Sequence, residues 1–438
     1  MGAHFLFTTL GSLGDLHPYI AVGIGLRDRG HTVTIATSEF YRAKVEGEGL
    51  RFHPLRPDLG ALIDRPEIMR EAMHPRTGTE YVFRKLFMPW VEQGFEDTVE
   101  AARDADVIVG HPVAFATPTA AEHLQKKWIS VALQPSVFLS AFDPSAISGA
   151  PYLRLLHSLG PVASRAFFRL ARRIARGWGS PLNELRRKLG LRDFPNPVLD
   201  DMFSPYGTQG WFSHVLAKPQ LDWPARTFIT GFPFYDKLEP GQGLRPELAA
   251  FLDAGSPPVV FTLGSSAVWD AGAFYTESLA AVRKLGCRAV LLIGSDPRNA
   301  PQGPIPDNVF VVEYAPYSQL LPRSAATVHQ GGIGTTAQAL RAGRPMIFMP
   351  YSHDQPDNAN RARKLGVARI IPKSNYRADR VAHELRILLS RNAYSAAAKH
   401  VAAEIAQENG VRAACEGLEA AAQPQNGIES TQRRKEKA

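Results

Sequence analysis

The feature that most constrains the fold of this chain is an alternation of short apolar runs with helix-like segments. In the first third of the sequence, the runs that predict buried strands are His4–Leu10, Thr32–Ser38, Asp106–Pro112 and Trp128–Pro135. A helix-like segment from about His17 to Arg29 separates the first two runs. Strands that alternate with helices form parallel sheets covered by helices on both faces, so this part predicts a doubly wound α/β domain.

The same alternation returns in the second half of the chain. Its strand-like runs are Pro258–Ser266, Arg288–Asp296, Val309–Pro316, Ala326–Gly332, Pro345–Asp354 and Val367–Pro372. The predicted fold class is therefore α/β, with two Rossmann-like, doubly wound parallel-sheet domains that face each other across a cleft. Ligands of such sheets bind beyond the carboxyl ends of the strands, so the loops after these runs are the candidate functional segments.

Shifts in composition divide the chain into predicted units. These are an N-terminal domain (1–230) with a basic helical insertion at about 150–217, a proline-bearing linker (231–257), a C-terminal domain (258–392), alanine-rich helices (393–422) and a polar tail (423–438). We expect the alanine-rich helices to bridge the two domains. The tail has the composition of a disordered segment.

The overall composition, with 45% hydrophobic and 21% charged residues, is that of a soluble globular protein. No apolar stretch approaches the roughly 18–20 residues of a transmembrane helix, and the first residues lack the basic flank of a signal peptide. Cys287 and Cys415 are too far apart in sequence to suggest a disulfide framework or a zinc site. We therefore expect a cytoplasmic protein.

Positive charge is concentrated in one segment. Between Arg154 and Lys188 the sequence has nine Arg or Lys residues and one acidic residue, Glu184, a surplus equal to the net charge of +8 of the whole chain. This distribution argues against a nucleic-acid partner and for a local basic feature.

Within that segment, residues 162–176 have the pattern of an amphipathic helix. Helical spacing places five arginines on one face: Arg165, Arg169, Arg172, Arg173 and Arg176. Phe167, Leu170 and Ile174 fall on the opposite side. Two interpretations stay open, namely a surface helix packed on the core and a basic helix in peripheral contact with the inner membrane surface.

A glycine-rich turn follows one of the runs, in "ATVHQGGIGTTA" (Ala326–Ala337). Glycines let the backbone approach a ligand closely, and amides at a helix start attract phosphate. The residues of this cradle are His329, Gly331, Gly332, Gly334 and Thr335. The same letters contain G-x-G-x-x-A, with Asp354 after the next run, which also fits an NAD-dependent oxidoreductase. A plain turn between a strand and a helix is the third interpretation.

A longer segment around this turn, "EYAPYSQLLPRSAATVHQGGIGTTAQALRAGRPMIFMPYSHDQPDNANRARKLG" (Glu313–Gly366), resembles the donor-binding signature of the family 1 glycosyltransferases. The similarity recurs in "LGSLGDLHPYIAVGIGLRDRGHTVTIAT" (Leu10–Thr37) and in the "DWP" and "GFPFYD" parts of the connector. These enzymes have the GT-B fold and move a sugar from a nucleotide diphosphate to a small acceptor. The chain most resembles the bacterial branch with rhamnosyltransferases and with sterol and glycopeptide glucosyltransferases.

The resemblance implies glucose or rhamnose as the sugar and a UDP- or dTDP-sugar as the donor, with no further cofactor and no metal. The implied acceptor is a hydrophobic hydroxylated compound such as a lipid, a sterol, a flavonoid or another natural product. A non-catalytic sugar-nucleotide-binding partner is a further alternative, against which the intact Asp15 and Asp354 argue.

The family's motif also implies donor-side roles. Tyr314 matches an aromatic residue that stacks on the nucleobase, and the backbone of Ala315 would bind the edge of the base. The implied diphosphate contacts are Ser265, His329, Gly334 and Thr335, with Gly331 and Gly332 in the same turn. Asp354 and Gln355 match the pair that binds the sugar hydroxyls. Gln338 lies one residue away from the position where plant members carry a Glu for the ribose.

On the acceptor side, the family places its general base in the loop Gly11–Pro18, where this chain has Asp15. Such a base takes the proton of the acceptor hydroxyl while the oxygen attacks the anomeric carbon from the face opposite the diphosphate, which inverts the configuration. His17 and His111 are the alternatives. Asp104–Asp106 resembles a metal-binding triplet, but it precedes a strand, at the edge of the sheet away from the cleft, and we interpret it as a solvated loop.

Overall fold

A computed structural model of the chain describes residues 2–60, 65–147, 157–236 and 243–423. The strands are β1 (His4–Thr8), β2 (Thr32–Thr37), β3 (Arg51–Pro54), β4 (Val107–Gly110), β5 (Lys127–Ala132), β6 (Thr208–Gly210), β7 (Thr227–Ile229), β8 (Val259–Thr262), β9 (Ala289–Leu292), β10 (Val309–Val312), β11 (Ala326–His329), β12 (Met346–Phe348) and β13 (Ala368–Ile370).

The α-helices follow in chain order. They are α1 (Leu13–Arg27), α2 (Arg42–Gly47), α3 (Pro66–Ala72), α4 (Gly78–Tyr81), α5 (Val91–Ala101), α6 (Thr117–His123), α7 (Pro161–Ala175), α8 (Ser180–Lys188), α9 (Pro246–Asp253), α10 (Gly264–Ala267), α11 (Phe274–Leu285), α12 (Tyr317–Leu320), α13 (Ile333–Arg341), α14 (Gln355–Lys364), α15 (Ala378–Ser390), α16 (Asn392–Ile405) and α17 (Gly410–Ala422). None of the helices in the described part of the chain is long and apolar enough to cross a membrane.

The strands form two parallel sheets, which confirms the predicted fold class. The first has the order β3-β2-β1-β4-β5-β6-β7 and the second the order β10-β9-β8-β11-β12-β13. In the first sheet Phe7 lies opposite Ile35 on one side and Val109 on the other, and all three are fully buried. Such continuous apolar strands are expected where helices cover both faces of a parallel sheet.

The edges of the first sheet differ from the sequence prediction. Strands β3, β6 and β7 were not predicted, because each is short and β3 and β7 are only partly buried, so neither has a continuous apolar run. The sheet also resumes at Thr208, inside the segment 150–217 that was predicted to be helical. Residues 148–156 of that segment lie outside the described residues, as do residues 237–242 of the linker and 424–438 of the tail.

Helix α1 begins at Leu13, four residues before the predicted start at His17. The reason is a capping box: the Ser12 hydroxyl accepts from the amide of Gly14 at 3.3 Å, and the Asp15 carboxylate accepts from the amide of Ser12 at 2.7 Å. Asp15 therefore lies in the first turn of the helix and not in the preceding loop.

The last two helices contact different domains. Helix α16 packs on α13 of the second domain, whereas α17 packs on α1 and β5 of the first. Ala414, Cys415 and Leu418 of α17 are fully buried in the core of the first domain. The chain thus crosses back to the first domain after α16, while the exact domain boundaries remain predictions.

A second crossing runs in the opposite direction. Met69 of α3 and the nearby Met73 belong to the hydrophobic cluster of the second domain, which also includes Val268 and Tyr351. The first domain therefore contributes side chains to the packing of the second.

Candidate active site between the two sheets

The two sheets reverse their strand order at equivalent places. In the first sheet the reversal lies between β1 and β4, and the segments after these strands carry Asp15 and His111. In the second sheet it lies between β8 and β11, which lead to Ser265 and to the glycine-rich turn after His329. Reversals of this kind open a crevice at the carboxyl ends of the strands, where ligands bind.

These two edges face each other closely. A Cβ atom added to Gly334, in the first turn of α13, would lie 3.5 Å from the Cα of Gly14 in the first turn of α1. The starts of the two helices therefore meet at the interdomain boundary. Since helix starts present unpaired amides and a partial positive charge, this meeting point suits an anion.

The two carboxylate oxygens of Asp15 have different surroundings. Oδ2 accepts from the amide of Ser12 at 2.7 Å and from its hydroxyl at 3.1 Å, which is the capping interaction. Oδ1 lies 3.6 Å from Nε2 of His111. The side chain is 30% exposed, so solvent or a ligand can reach it. Asp15 thus caps a helix and also presents a carboxylate to the cleft.

His111 is the buried neighbour of Asp15. Its backbone amide donates to Thr8 at 2.9 Å, which fixes the residue beside the end of β1. Its Nδ1 accepts from the amide of Val113 at 3.4 Å, an arrangement that assigns the proton to Nε2, on the side of Asp15. Burial lowers the pKa of His111, opposed by the charge of Asp15. A neutral imidazole therefore faces the carboxylate.

His17 is placed differently. Its ring centre lies 4.9 Å from that of Tyr235, and burial together with Lys44 lowers the pKa of His17 to about 4. Residues two apart in a helix do not share a face, so His17 and Asp15 point in different directions. The structure brings His111 to Asp15, but not His17.

The glycine-rich turn is tightly packed. Gly331 has φ +99°, and a Cβ atom there would lie 2.7 Å from the ring of Phe348 and 3.2 Å from the carbonyl oxygen of Gln355. Only glycine fits such a position. Gly332 follows directly before the first turn of α13, in which Thr335 is buried.

His329, at the end of β11, supports this turn. Its Nδ1 accepts from the amide of Gly331 at 3.1 Å, so Nε2 carries the proton. Among the described residues this buried Nε2 has no hydrogen-bond partner. Burial lowers the pKa of His329 to about 3, so the ring is neutral. A bound anion, such as a phosphate at the glycine-rich turn, can accept a hydrogen bond from this unpaired buried donor.

Ser265 lies in the exposed first turn after β8, near the same place. Gln330 connects the two turns, because a Cβ atom on Gly264 would lie 2.4 Å from its Nε2 and one on Gly332 would lie 3.1 Å from it. Sequence analysis did not single out Gln330, although it lies inside the motif.

The proposed nucleobase and ribose positions lie on neighbouring elements. Tyr314 follows β10 and is 61% exposed, whereas Ala315 is buried. The Oε1 atom of Gln338 accepts from Arg341 at 2.8 Å, and Arg341 also pairs with Asp236 at 2.6 Å. The side chain of Gln338 thus accepts from Arg341 through its oxygen and carries an NH2 group that can donate.

Asp354 precedes α14 at the helix-capping position, yet its side chain makes no capping bond. It accepts instead from Nδ2 of Asn358 at 2.7 Å, and the same amide group donates to the carbonyl of Gly331 at 3.0 Å. Loss of solvation raises the pKa of Asp354 to about 7, opposed by Asn358 and reinforced by the charge of Asp15. Gln355 is buried, and its Oε1 accepts from the amide of Tyr351 at 2.8 Å.

His353 is a residue that the sequence did not indicate. It has φ +58°, which is uncommon for a residue other than glycine, and its Nδ1 lies 3.1 Å from the hydroxyl of Thr79 in α4. It therefore links the loop of Asp354 to the first domain. No pattern of residue types predicts this contact, because its partners are 274 positions apart.

The first domain also has an apolar cavity next to the segment that follows His111. Its lining includes Leu10, Phe87, Val113 and Phe115, and its volume is about 20 Å³. That is room for about one water molecule. A cavity of this size is too small to hold an acceptor molecule.

The triplet Asp104–Asp106 lies at the opposite edge of the first sheet. Asp106 accepts from the amide of His4, at the start of β1, at 2.7 Å. Within the part of the chain that the structure describes, no group of three His, Cys, Asp or Glu residues could hold a metal ion.

Two parallel α/β domains whose order reversals face each other define the GT-B class of glycosyltransferases. Similarity to solved structures agrees: the glycosyltransferase VinC in complex with dTDP has a TM-score of 0.67, with 96% of this chain and 99% of VinC covered. At 21% identity, this likeness concerns the fold.

Sequence comparison defines the family. Residues 5–131 match the glycosyltransferase family 28 N-terminal domain, and residues 277–417 match the C-terminal domain of erythromycin biosynthesis protein CIII-like proteins. O-mycaminosyltylonolide 6-deoxyallosyltransferase of Streptomyces fradiae is 33% identical over 432 residues, which cover 93% of this chain and 94% of that protein. The chain belongs to the family 1 glycosyltransferases and is a glycosyltransferase.

A sterol 3-beta-glucosyltransferase of Debaryomyces hansenii is 27% identical over 442 residues. The match covers 95% of this chain but only 26% of that protein, so this chain spans about a quarter of its length. The NAD-dependent alternative has no support from these comparisons.

Proposed function

We propose that this glycosyltransferase is inverting and metal-independent, with Asp15 as the general base. The donor is a UDP- or dTDP-sugar, most simply glucose or rhamnose, and the acceptor is a hydroxyl of a hydrophobic natural product, lipid or sterol. The observation that carries the proposal is the meeting of the Asp15 segment with the glycine-rich start of α13, where Gly14 and Gly334 face each other.

In the proposed reaction, the acceptor hydroxyl binds in the cleft beside Asp15. Its oxygen attacks the anomeric carbon while its proton passes to the carboxylate. The bond between that carbon and the diphosphate oxygen breaks, and the diphosphate leaves with the electron pair. His111, whose Nε2 lies 3.6 Å from Oδ1 of Asp15, orients the carboxylate for the transfer.

The leaving diphosphate is stabilised by the second domain. Amides at the start of α13, the hydroxyls of Ser265 and Thr335 and the proton on Nε2 of His329 supply hydrogen bonds where negative charge develops. These groups are held before the reaction begins, so they need little reorganisation.

The remaining donor contacts are proposed because these residues match the positions of the family's motif. Tyr314 stacks on the base, the backbone of Ala315 binds its edge, and Gln338 donates its NH2 group to the ribose. Asp354 and Gln355 bind the sugar hydroxyls. VinC, of the same fold, is in complex with dTDP, which supports the inclusion of dTDP beside UDP as a candidate nucleotide for this chain.

The first experiment is a thermal-shift titration with UDP, dTDP and NAD⁺ in the presence of EDTA, followed by turnover assays with the matching sugar nucleotides. A ligand at about 100 times its Kd adds about 2.7 kcal/mol to the free energy of unfolding, which is visible in Tm. We expect UDP or dTDP to stabilise the protein and NAD⁺ not to. Stabilisation by NAD⁺ alone contradicts the proposed donor, and nucleotide binding without any turnover favours the non-catalytic alternative.

A further inference from the structure

Helix α7 packs with a face that its sequence pattern does not favour. Its buried residues are Ser164, Phe168 and Ala175. Leu170 and Ile174, which a packed surface helix would turn inward, are 56% and 61% exposed. Helix α7 is thus a surface helix that packs on the core, but it does so through Phe168 and Ala175, while Leu170 and Ile174 of its apolar side face outward.

The exposed apolar side continues toward the start of the helix. Val162, in the first turn, is 79% exposed, and Leu159, just before the helix, is 70% exposed. Large aliphatic side chains that are this exposed contribute little hydrophobic free energy to folding. A contiguous group of them on one element marks an interaction surface.

A row of arginines runs beside these aliphatic residues. Arg169, Arg172, Arg173 and Arg176 line one surface depression. Arg172 is bonded to Asp200 at 2.8 Å. Among the described residues, Arg169, Arg173 and Arg176 form no ion pair with any carboxylate.

The neighbouring helix α8 does not share this property. Its cations are paired with acidic residues as follows: Arg186 with Glu122, Arg187 with Asp193, and Lys188 with Glu92. Among the described residues of the basic segment, the uncompensated charge therefore lies on α7, next to the exposed aliphatic residues.

We infer that this α7 surface, defined by Leu159, Val162, Leu170, Ile174 and the arginines Arg169, Arg173 and Arg176, docks on a lipid bilayer that contains anionic headgroups. Helices that lie in a membrane interface combine an apolar side with a basic flank: the apolar side enters the acyl boundary and the basic flank meets the headgroup charge. Both halves of that chemistry are present here and neither has another partner in the described chain.

A bilayer fits these residues better than the other occupants. In a symmetric dimer that pairs this surface with itself, the same patch forms both sides, so the unpaired arginines would approach their own copies. A nucleic-acid backbone would satisfy the arginines but would leave Leu170 and Ile174 in water. Only an anionic membrane surface accounts for the charge and for the aliphatic residues together.

The surface lies beside the boundary between the domains. The guanidinium of Arg165, also on α7, lies 5.6 Å from the ring centre of Phe142, and the adjacent Asp143 pairs with Arg361 of the second domain. If the proposed hydrophobic acceptor is correct, a docked enzyme would meet it near its cleft. The docking inference itself does not depend on that proposal.

The test is sedimentation of the full chain with vesicles of phosphatidylcholine alone and with about 30 mol % phosphatidylglycerol added. We expect binding to the anionic vesicles that weakens as salt rises from about 0.05 M to about 0.5 M. Two variants, one with Leu170→Asp and Ile174→Asp and one with Arg169→Gln, Arg173→Gln and Arg176→Gln, should each bind at least about tenfold more weakly.

Leu221→Asp is the matched control, because Leu221 is 92% exposed but lies outside α7. It should bind vesicles like the unmodified chain, and circular dichroism of all variants checks that they are folded. Failure of the unmodified chain to bind anionic vesicles overturns the inference, as does undiminished binding by both variants. A dimer in light scattering that becomes a monomer with Leu170→Asp would assign the surface to a second copy. Nucleotide stabilisation, measured in parallel, reports on the proposed function independently.

Discussion

The two roles of Asp15 can be separated by substitution. Asp15→Asn keeps an oxygen that can accept from the amide of Ser12 but removes the base. We expect kcat to fall by about 10²–10⁴-fold, with the KM of the donor little changed. Steady-state kinetics with the sugar nucleotide established by the titration measure this.

The control for Asp15→Asn is Ser12→Ala, which removes the hydroxyl of the capping box and keeps the carboxylate. It should lower the free energy of unfolding by about 1 kcal/mol and leave most of the activity. If Asp15→Asn turns over like the unmodified enzyme, the base is another residue, and His111 becomes the candidate.

Asp354 gives a prediction about pH. Its folded pKa, about 7, lies above that of an unfolded Asp, so the folded state holds an extra proton between roughly pH 4 and 7, and stability falls as pH rises through that window. Asp354→Asn removes this dependence and should raise the free energy of unfolding at pH 8 by about 2 kcal/mol. Denaturant unfolding at pH 5 and pH 8 measures it.

The same substitution should weaken the binding of the donor, because the carboxylate of Asp354 is proposed to bind the sugar hydroxyls. Higher stability at pH 8 together with a higher donor KM is the expected combination. Equal pH dependence in both proteins would mean that Asp354 is already ionised at neutral pH.

At the scale of elements, the turn before α13 can be tested by two alanine substitutions. Gly331→Ala places a Cβ 2.7 Å from Phe348 at φ +99°, so it should cost more than about 2 kcal/mol of stability and abolish donor binding. Gly334→Ala meets only the Cα of Gly14 at 3.5 Å, an ordinary contact, and should fold normally. Tm and nucleotide titration distinguish the two. A Gly331→Ala protein that binds nucleotide normally would contradict this account of the turn.

Elements also show how far the sequence predicts this fold. Apolar runs identified the central strands of both sheets, since strands buried on both faces need such runs. They missed β3, β6 and β7, which are short, and they placed the start of α1 too late because the Ser12–Asp15 box was not recognised. For α7 the pattern predicted a basic and an apolar face, but the helix packs through a third face with Ser164, Phe168 and Ala175.

For the site, motif residues were predicted because they are close together in the chain. The contacts of Asp15 with His111 and of His353 with Thr79 join segments 96 and 274 positions apart, and only the fold brings them together. His111 was predicted as a competitor of Asp15 and proves to be its neighbour. The assigned roles of these residues stay predictions until the variants are measured.

At the scale of the whole molecule, the ion pairs of Arg361 join the domains. Its guanidinium, 5% exposed, bonds to Asp357 at 2.7 Å and also to Asp143 of the first domain. Arg361→Met leaves the buried carboxylate of Asp357 unpaired and should lower the free energy of unfolding by about 3–5 kcal/mol. Asp143→Asn, the control, removes only the charge of Asp143 and keeps the contacts of Arg361 with Leu216 and of Asp357 with Ala146, so it should have a much smaller effect. Calorimetry measures the free energy of unfolding of both variants. Equal losses would show that the ion pair with Asp143, and not the pair with Asp357, supplies most of the stability.

The facing starts of α1 and α13 bear on the order in which substrates are taken up. Two helix ends of the same partial charge oppose each other at Gly14 and Gly334, with Asp15 as the nearby negative group. A diphosphate bound between the two helix starts is attracted by both of them, and this attraction replaces the repulsion between the two positive ends. The bound donor then holds the two domains together at this point. The acceptor binds afterwards, in a site that the donor has completed. Such a molecule is expected to follow compulsory-order kinetics, with the sugar nucleotide arriving first and the spent nucleotide leaving last.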